Sequence, residues 1–381
     1  MKLKLNNKRT LFVGFAFFLI CAFWQAYDAL VPKILTDKFG MNQVWSGFIM
    51  ALDNILAIFL LPLFGSLSDR CKNRLGRRTP FILIGNIAAA VCFMGLSFID
   101  NLQLAKLSEI AAVTETEASA ERDTALRNLY NASYDMGSIP TSAQETGAAD
   151  AQSLANIYGD ADSFVEKVNA TEGENISDWV VKARQAYAWQ KTLTSPGTLV
   201  CFIVILMVVL LSMSTFRSPA VALMPDVTPK PLRSKANAII NLMGSAGGIL
   251  VLVLGMVCGT GKSENTLMSY TLFFCVIAGI MLCSLAVFLC TVREVPWAAE
   301  AAKINDALDS QNQPQTPDAA EHGHLTAGEK KSLFFILASV VLWYMGYNAV
   351  TSKYSVYAGQ VLGLDFNFTM IIAQAAAILS Y

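Results

Sequence analysis

Two carboxylates lie within long apolar stretches of the sequence, where a charged side chain is costly. Asp53 lies in SGFIMALDNILAIF, and Asp28 lies near the end of an earlier stretch, in FWQAYDAL. A carboxylate in such a place can take up and release a proton as its surroundings change. We therefore predict that Asp53 carries a proton. The simpler alternatives are a structural hydrogen bond for Asp53 and an interfacial position near water for Asp28.

Side chains suited to a hydroxylated ligand accompany Asp28. Trp24, Gln25 and Asp28 share one helical face, and Tyr27 borders it. An acid and an amide offer hydrogen-bond acceptors and donors, and an aromatic ring offers a flat apolar face for stacking. A comparable polar stripe occurs late in the chain, at Tyr344, Tyr347, Asn348 and Thr351. The candidate substrate and proton residues are Asp28, Asp53, Trp24, Gln25, Tyr27, Tyr347 and Asn348.

The elements that must position these residues are transmembrane helices. The chain has 381 residues, of which 54% are hydrophobic and 15% charged, against about 25% charged in an average soluble domain. Seven apolar runs are long enough to cross a bilayer, and an eighth begins near Phe366. The seven runs cover approximately residues 10–32, 45–67, 80–99, 197–216, 236–259, 268–292 and 332–352. The pattern predicts an all-α membrane protein that crosses the bilayer several times.

The basic residues predict how the chain is oriented in the membrane. Seventeen of them lie in the N-terminal segment and in the alternate loops on its side, whereas four lie in the short segments on the other side. Lys and Arg are enriched in cytoplasmic loops. We therefore expect a multi-pass protein of the cell membrane with a cytoplasmic N-terminus. The segment 65–80 would then be cytoplasmic too.

Two polar segments interrupt the apolar runs. Residues 100–195 are rich in Ala, Glu, Asp and Ser, and would form an acidic insertion on the extracytoplasmic side. Their helical spacing of apolar residues predicts a small helical lid or a loosely ordered insertion, and a tolerated loop without a direct role is the alternative. Residues 293–331 contain QNQPQTPDAAEHGH and are expected to form a flexible cytoplasmic linker.

A short internal repeat suggests two related halves. YDALVPK (Tyr27 to Lys33) and YNAVTSK (Tyr347 to Lys353) match at a constant offset, at equivalent places in the first and seventh runs. Stacked halves of six spans would produce such a match. We therefore predict a complete N-terminal six-helix half at 1–292 and the start of a second half at 332–381. We also expect that about four further spans are missing from the sequence.

The loop GSLSDRCKNRLGRRTP, residues 65–80, contains a recognisable pattern. Gly65-x-x-x-Asp69-Arg70 and Arg74-x-Gly76-Arg77-Arg78 resemble the signature cytoplasmic loop of the major facilitator superfamily. The five residues between the Asp-Arg pair and the next Gly, and the Thr-Pro-Phe that follows, resemble sucrose/proton symporters and glycoside–pentoside–hexuronide cation symporters. FRSPAVALMPDVTPKPLRSKANA, from residue 216 to 238, is similar to a segment of the same group. The resemblance implies the major facilitator fold and a sugar-type substrate.

The chemistry of this loop suits a gate. An acid near the start of a helix is favoured by the helix dipole, and arginines can make bidentate bonds to carboxylates that form in one conformation and break in another. The alternative is that the basic residues of the loop only keep it on the cytoplasmic side of the membrane, without acting as a gate. The candidate cytoplasmic gate residues are Gly65, Asp69, Arg70, Arg74, Gly76, Arg77, Arg78, Asp226 and Arg233.

The sequence favours a secondary transporter: a proton-coupled symporter of a sugar or glycoside that works by alternating access. The resembling cation symporters carry two acids one turn apart on the second span, but Ile49 and Ala57 flank Asp53 at those positions. Sodium coupling is therefore the weaker interpretation. An exporter of drugs or other metabolites, or a non-transporting sensor that uses residues 100–195, are the alternatives.

An enzyme or an ATP-driven pump is not expected. The sequence has no GxxxxGK[ST] loop, and its two histidines, in the linker, cannot complete a catalytic triad with the residues around them. We expect no cofactor, no metal and no nucleic acid partner. The expected partners are a small-molecule substrate (a sugar or glycoside), protons and the lipid bilayer, and the protein is expected to be monomeric.

Overall fold

A computed structural model describes residues 4–114, 119–135, 160–170, 178–261, 265–311 and 327–360, and four single positions beyond residue 360. Within these ranges the regular elements are all helices. Six of them are long and apolar enough to cross a membrane. They are α1 (Asn7–Lys33), α2 (Gln43–Arg70), α3 (Thr79–Ala105), α7 (Gly197–Val227), α8 (Arg233–Val257) and α9 (Thr271–Thr291).

Local sequence signals set where several of these helices begin. The Asn6 side chain accepts a hydrogen bond from the Arg9 amide, and Asn42 does the same for Trp45, so asparagine caps both α1 and α2. Pro80 lies in the first turn of α3, where its missing N–H has no helical partner to lose.

After α1 the chain continues as a π-helical turn at Ile34–Lys38.

Small residues let the helices approach one another closely. On α8, a methyl group at Gly247 would lie 2.6 Å from the Phe18 carbonyl oxygen of α1, and one at Gly244 would lie 2.8 Å from the Cys21 sulfur. Such small-residue contacts drive helix packing where the surroundings are as apolar as the side chains. Helix α1 is accordingly the most buried of the six, and α2 is the least buried.

The bundle has two ends, which we name by what they carry. The motif end carries the 65–80 loop and helix α10 (Glu294–Gln311), which packs against α7. The cap end carries the π-helical turn, the loop after α8 and the acidic segment. The predicted seventh run lies within α11 (Ala327–Gln360). Both histidines lie outside the described residues.

The acidic segment forms a helical cap. It contains a 3-10 helix (Ser108–Thr114) and the helices α4 (Ala120–Asp135), α5 (Ala161–Ala170) and α6 (Asp178–Thr194). Its own apolar core includes Leu126, Leu129, Phe164 and Tyr187. The expected start at residue 100 is too early, because α3 continues to Ala105 and Asp100 and Gln103 are buried on that helix.

Contacts at the base of the cap attach it to the bundle. The Gln185 side chain of α6 donates to Asp37, and the Thr192 hydroxyl donates to the Phe39 carbonyl oxygen at 3.0 Å. Gly40 has a φ of +70°, and a side chain there would meet the backbone of Trp189. The cap is therefore packed directly on the turn that follows α1.

Candidate functional site

Three transmembrane helices bring acids, aromatic rings and one arginine together in the bundle. Trp24, Tyr27 and Asp28 lie on α1, Asp53 lies on α2, and Arg217 lies on α7. Asp28 and Asp53 are near enough to interact electrostatically with each other, and Asp53 also interacts with Arg217. We call these five residues the central cluster. It contains two potential negative charges and one fixed positive charge.

Arg217 is the member of the central cluster that the sequence analysis misplaced. The apolar run was expected to end at residue 216, which put Arg217 in a loop. Helix α7 instead continues to Val227, through Pro219 and Pro225. Ala220 and Leu223 are buried on this last part of the helix, and their helical spacing was the available signal. Arg217 is therefore within a spanning helix, not after it.

The Arg217 guanidinium lies over the Trp24 ring, with 5.3 Å between its central carbon and the ring centroid. A cation over the face of an indole is attracted by the ring's quadrupole. The same guanidinium interacts electrostatically with Asp53. Because Trp24 and Asp53 belong to different helices, Arg217 of α7 interacts with groups on both α1 and α2.

Two hydrogen-bond donors of the central cluster are buried without a partner. Among the described residues, neither the indole nitrogen of Trp24 nor the hydroxyl of Tyr27 has one. An unsatisfied buried polar group costs about 1–3 kcal/mol. These donors therefore mark a place where a ligand hydroxyl or a water molecule would be stabilised.

The two acids of the central cluster have different surroundings. The Asp53 carboxylate accepts a hydrogen bond from Asn54 at 2.8 Å, and Asp28 is exposed.

The structure describes the remaining predicted residues of this site only in part. Gln25 is buried on α1. Tyr347 and Asn348 belong to helix α11, but their side chains lie outside the described part of the structure. Sequence reasoning also overlooked Asn86 of α3, whose buried amide has no partner among the described residues. Its position in the apolar stretch ILIGNIAAAV was the signal that could have identified it.

At the motif end, Arg78 is the centre of a polar network. Its guanidinium donates to Asp226 at 2.8 Å, and it also bonds the Ser68 hydroxyl and the Asp69 carboxylate. Arg77 pairs with Asp226 at 3.0 Å. The network thus joins the end of α2, the start of α3 and the end of α7.

Glu294 is the residue of this end that sequence reasoning missed. Its carboxylate accepts from the backbone amides of Arg77, Arg78 and Thr79 at 2.8–3.1 Å, and from the Thr79 hydroxyl at 2.8 Å. It therefore caps the N-terminus of α3. Gly76 has a φ of +116°, and a side chain there would collide with Glu294.

The other predicted gate residues differ in the contacts they make. Gly65 lies so close to α7 that a methyl group there would be 2.9 Å from the Ser218 hydroxyl. Arg233 donates to the backbone carbonyls of Pro225 and Thr228, within its own segment. Arg70 and Arg74 are exposed, and among the described residues neither makes an ion pair or a side-chain hydrogen bond. Those two arginines stand apart from the network.

Comparison with known proteins identifies the family. A family model described as "MFS_1 like family" matches residues 11–375, which is nearly the whole chain. The chain belongs to this major facilitator (MFS_1-like) family. Membership agrees with the all-α membrane architecture and with the fold that the 65–80 loop implied. It also points to a transporter rather than an enzyme.

Individual relatives match over short stretches only. "Sucrose transport protein SUC4" from Arabidopsis thaliana is 35% identical over 69 residues, which is 17% of this chain and 14% of the relative. "Proton-associated sugar transporter A" from Homo sapiens is 36% identical over 94 residues, 25% of this chain and 12% of the relative. The matches thus span about an eighth of each relative's length. No solved structure matches the chain.

Proposed function

We propose that this MFS-family protein is a secondary active transporter that moves a sugar or glycoside together with protons by alternating access. The single observation that carries the proposal is the central cluster, in which acids, an arginine and unpartnered buried donors meet across three helices. The printed names of the relatives, a sucrose transport protein and a proton-associated sugar transporter, support the same substrate class. The distribution of basic residues supports a cytoplasmic N-terminus.

Recognition of a sugar would use both kinds of polar group in the central cluster. The Trp24 and Tyr27 donors can bond to ligand oxygens, and the Asp28 carboxylate can accept from ligand hydroxyls. A site built to hydrogen-bond hydroxyl groups discriminates strongly against analogues that lack them, because its buried groups would then stay unpaired. The expected substrate is therefore a polyhydroxylated compound and not an apolar one.

Proton coupling would use Asp53. While it is ionised, Asp53 is attracted by Arg217, and protonation removes that attraction. Arg217 would then be free to interact with substrate oxygens, so that proton binding and substrate binding favour the same state. Coupling of this kind requires only that both ligands bias one conformational equilibrium.

The network around Arg78 would act as the gate at the motif end. Its bonds to Asp69 and Asp226 join segments that belong to three helices. Charge-assisted bonds are strong enough to hold one conformation, and they can be exchanged for others when the helices shift. Plain topogenic charge would not require Arg78 to be buried between two carboxylates.

The test is uptake by the full-length gene product reconstituted in liposomes. We expect accumulation of radiolabelled sucrose or maltose when the outside is more acidic than the inside, and loss of accumulation when an uncoupler is added. Uptake that an uncoupler does not affect would contradict proton coupling. Binding at the cap without any uptake would favour the sensor interpretation instead.

A further inference from the structure

The cap has an open groove that is separate from the central cluster. It has a volume of about 550 Å³ and lies between the 3-10 helix Ser108–Thr114 and the helices α4 and α6. We call it the cap groove. Its polar lining includes Glu109, Asn128, Asn131, Tyr187, Gln190 and Lys191.

One carboxylate of the cap groove is held in place. Glu109 accepts from the Tyr187 hydroxyl and, at 3.3 Å, from the Lys191 ammonium, both through the same oxygen. Tyr187 is itself buried in the apolar core of the cap, so this acceptor is anchored to a rigid element. Across the described residues, no hydrogen bond reaches the other Glu109 carboxylate oxygen. That oxygen is available to a ligand.

The side-chain amides of the groove supply the complementary donors. Asn128 and Asn131 lie three residues apart on one face of α4, and both are exposed. Asn128 donates to the Glu109 carbonyl oxygen at 3.3 Å, which leaves its own oxygen open. Among the described residues, neither the Asn131 nor the Gln190 side chain makes a hydrogen bond, and both are exposed. The groove thus presents free amide donors and acceptors from α4 and α6.

The charge of the lining restricts what the groove can hold. Glu109 and Lys191 are its only ionisable groups of opposite sign among the described lining residues, and they pair with each other. Their charges cancel, so neither an anion nor a cation is favoured. Amide donors and acceptors around a neutral centre fit a ligand that carries many hydroxyl groups. The volume is within the range of small-molecule sites, about 300–1,000 Å³.

The cap groove also lies beside the membrane-spanning bundle. Thr194 lines the groove and ends α6, and the spanning helix α7 begins at Gly197. Lys106, just after α3, bonds Ser195 and Thr198 and so fixes this junction. A ligand in the groove would therefore be held at the cap end of the bundle, next to the junction between α6 and α7.

We infer that the cap groove is a binding site for a neutral saccharide, which it holds at the cap end of the transporter. The inference that a saccharide binds rests on the residues that line the groove. The further inference that this saccharide is the transported substrate, held ready for transport, rests on the proposed function. Because the groove is open and its bonds are exposed to water, the expected affinity is weak, in the millimolar range.

The test measures saccharide binding to the full-length gene product in nanodiscs by saturation-transfer NMR. Sucrose and maltose are the probes, and the protein carries Arg217→Ala so that the central cluster contributes little. We expect Asn131→Trp, which fills the groove, to weaken binding about tenfold or more, and Gln190→Ala to weaken it about fivefold through one lost hydrogen bond. Glu166→Trp, an exposed change on α5 of the same cap, is the matched control and should leave binding unchanged.

Two outcomes would overturn the inference: neither probe binds to the Arg217→Ala protein, or Asn131→Trp and Gln190→Ala bind as well as their parent. Sucrose uptake into liposomes separates this inference from the proposed function. Groove binding without any uptake would contradict the transporter proposal alone. Uptake with no groove binding would contradict the cap site alone.

Discussion

Lys38 and Asp100 form an ion pair in which neither side chain is exposed to solvent, with 2.7 and 2.8 Å between the ammonium and the two carboxylate oxygens. Lys38 ends the π-helical turn after α1, and Asp100 lies near the end of α3. The ammonium also donates to the Met268 carbonyl oxygen and lies 4.0 Å from the centroid of the Tyr270 ring. The pair therefore ties three segments together beneath the cap.

Asp100→Ala should destabilise the protein strongly. Removing one partner of a buried pair leaves the other charge uncompensated, at a cost of about 3–5 kcal/mol. Thermal or denaturant unfolding in detergent would measure the change. The control is Arg127→Ala, which breaks the exposed pair with Asp162 and should cost less than about 1 kcal/mol. Equal losses in the two variants would show that the Lys38–Asp100 pair has no special role.

Gly76→Ala should lower stability by about 1–3 kcal/mol, because Gly76 has a left-handed backbone and faces Glu294. Gly47→Ala on α2 is the matched control, since nothing lies within 4 Å of the added methyl group. That change should be neutral, or stabilising by up to about 1 kcal/mol. The two variants are compared by the same unfolding measurement. A tolerated alanine at Gly76 would contradict the conformation described for the loop.

Arg78→Lys should cost about 2 kcal/mol of unfolding free energy, because lysine cannot reproduce the bonds that the guanidinium makes to Ser68, Asp69 and Asp226. The same change at the exposed Arg74 should have little effect. Both substitutions keep the positive charge, so topogenic charge alone predicts no difference between them. Indistinguishable unfolding curves would therefore favour the topogenic interpretation.

The cap should become less stable in acid. Hydrogen bonds from Tyr187 and then Lys191 hold the pKa of Glu109 below its ordinary value of 4.5. A lowered pKa in the folded state contributes stability above the ordinary value, and that contribution is lost as the pH falls through the folded pKa. The protection of the α6 backbone amides against hydrogen exchange should therefore decrease as the pH falls below about 4.5.

Tyr187→Phe supplies the comparison, because it removes the larger cause of the Glu109 shift. Its acid dependence in α6 should be shallower than that of the unmodified cap. Identical exchange profiles in the two proteins would mean that Glu109 does not couple the stability of the cap to pH.

The sequence predicts the helical membrane architecture well, because apolar runs of spanning length have few alternative structures. It predicts the position of Arg217 poorly, since α7 continues past its most apolar part and tolerates two prolines. The capping role of Glu294 depends on contacts with residues more than 210 positions away. No local pattern reports such a contact.

The cap shows the same limit. Its helical spacing predicted helices, but its attachment depends on buried polar contacts such as Gln103 to Thr192 at 3.0 Å. Those residues are unremarkable when they are read along the chain. Their partners become apparent only when α3 and α6 are placed side by side.

The most direct test of the account is sucrose transport by the Asp53→Asn variant in liposomes, measured as accumulation under a pH gradient and as exchange without one. Asparagine keeps the shape of the side chain but cannot carry a proton. We predict that accumulation is lost while exchange of sucrose across the membrane persists. Undiminished accumulation by Asp53→Asn would contradict the central claim that Asp53 carries the coupled proton.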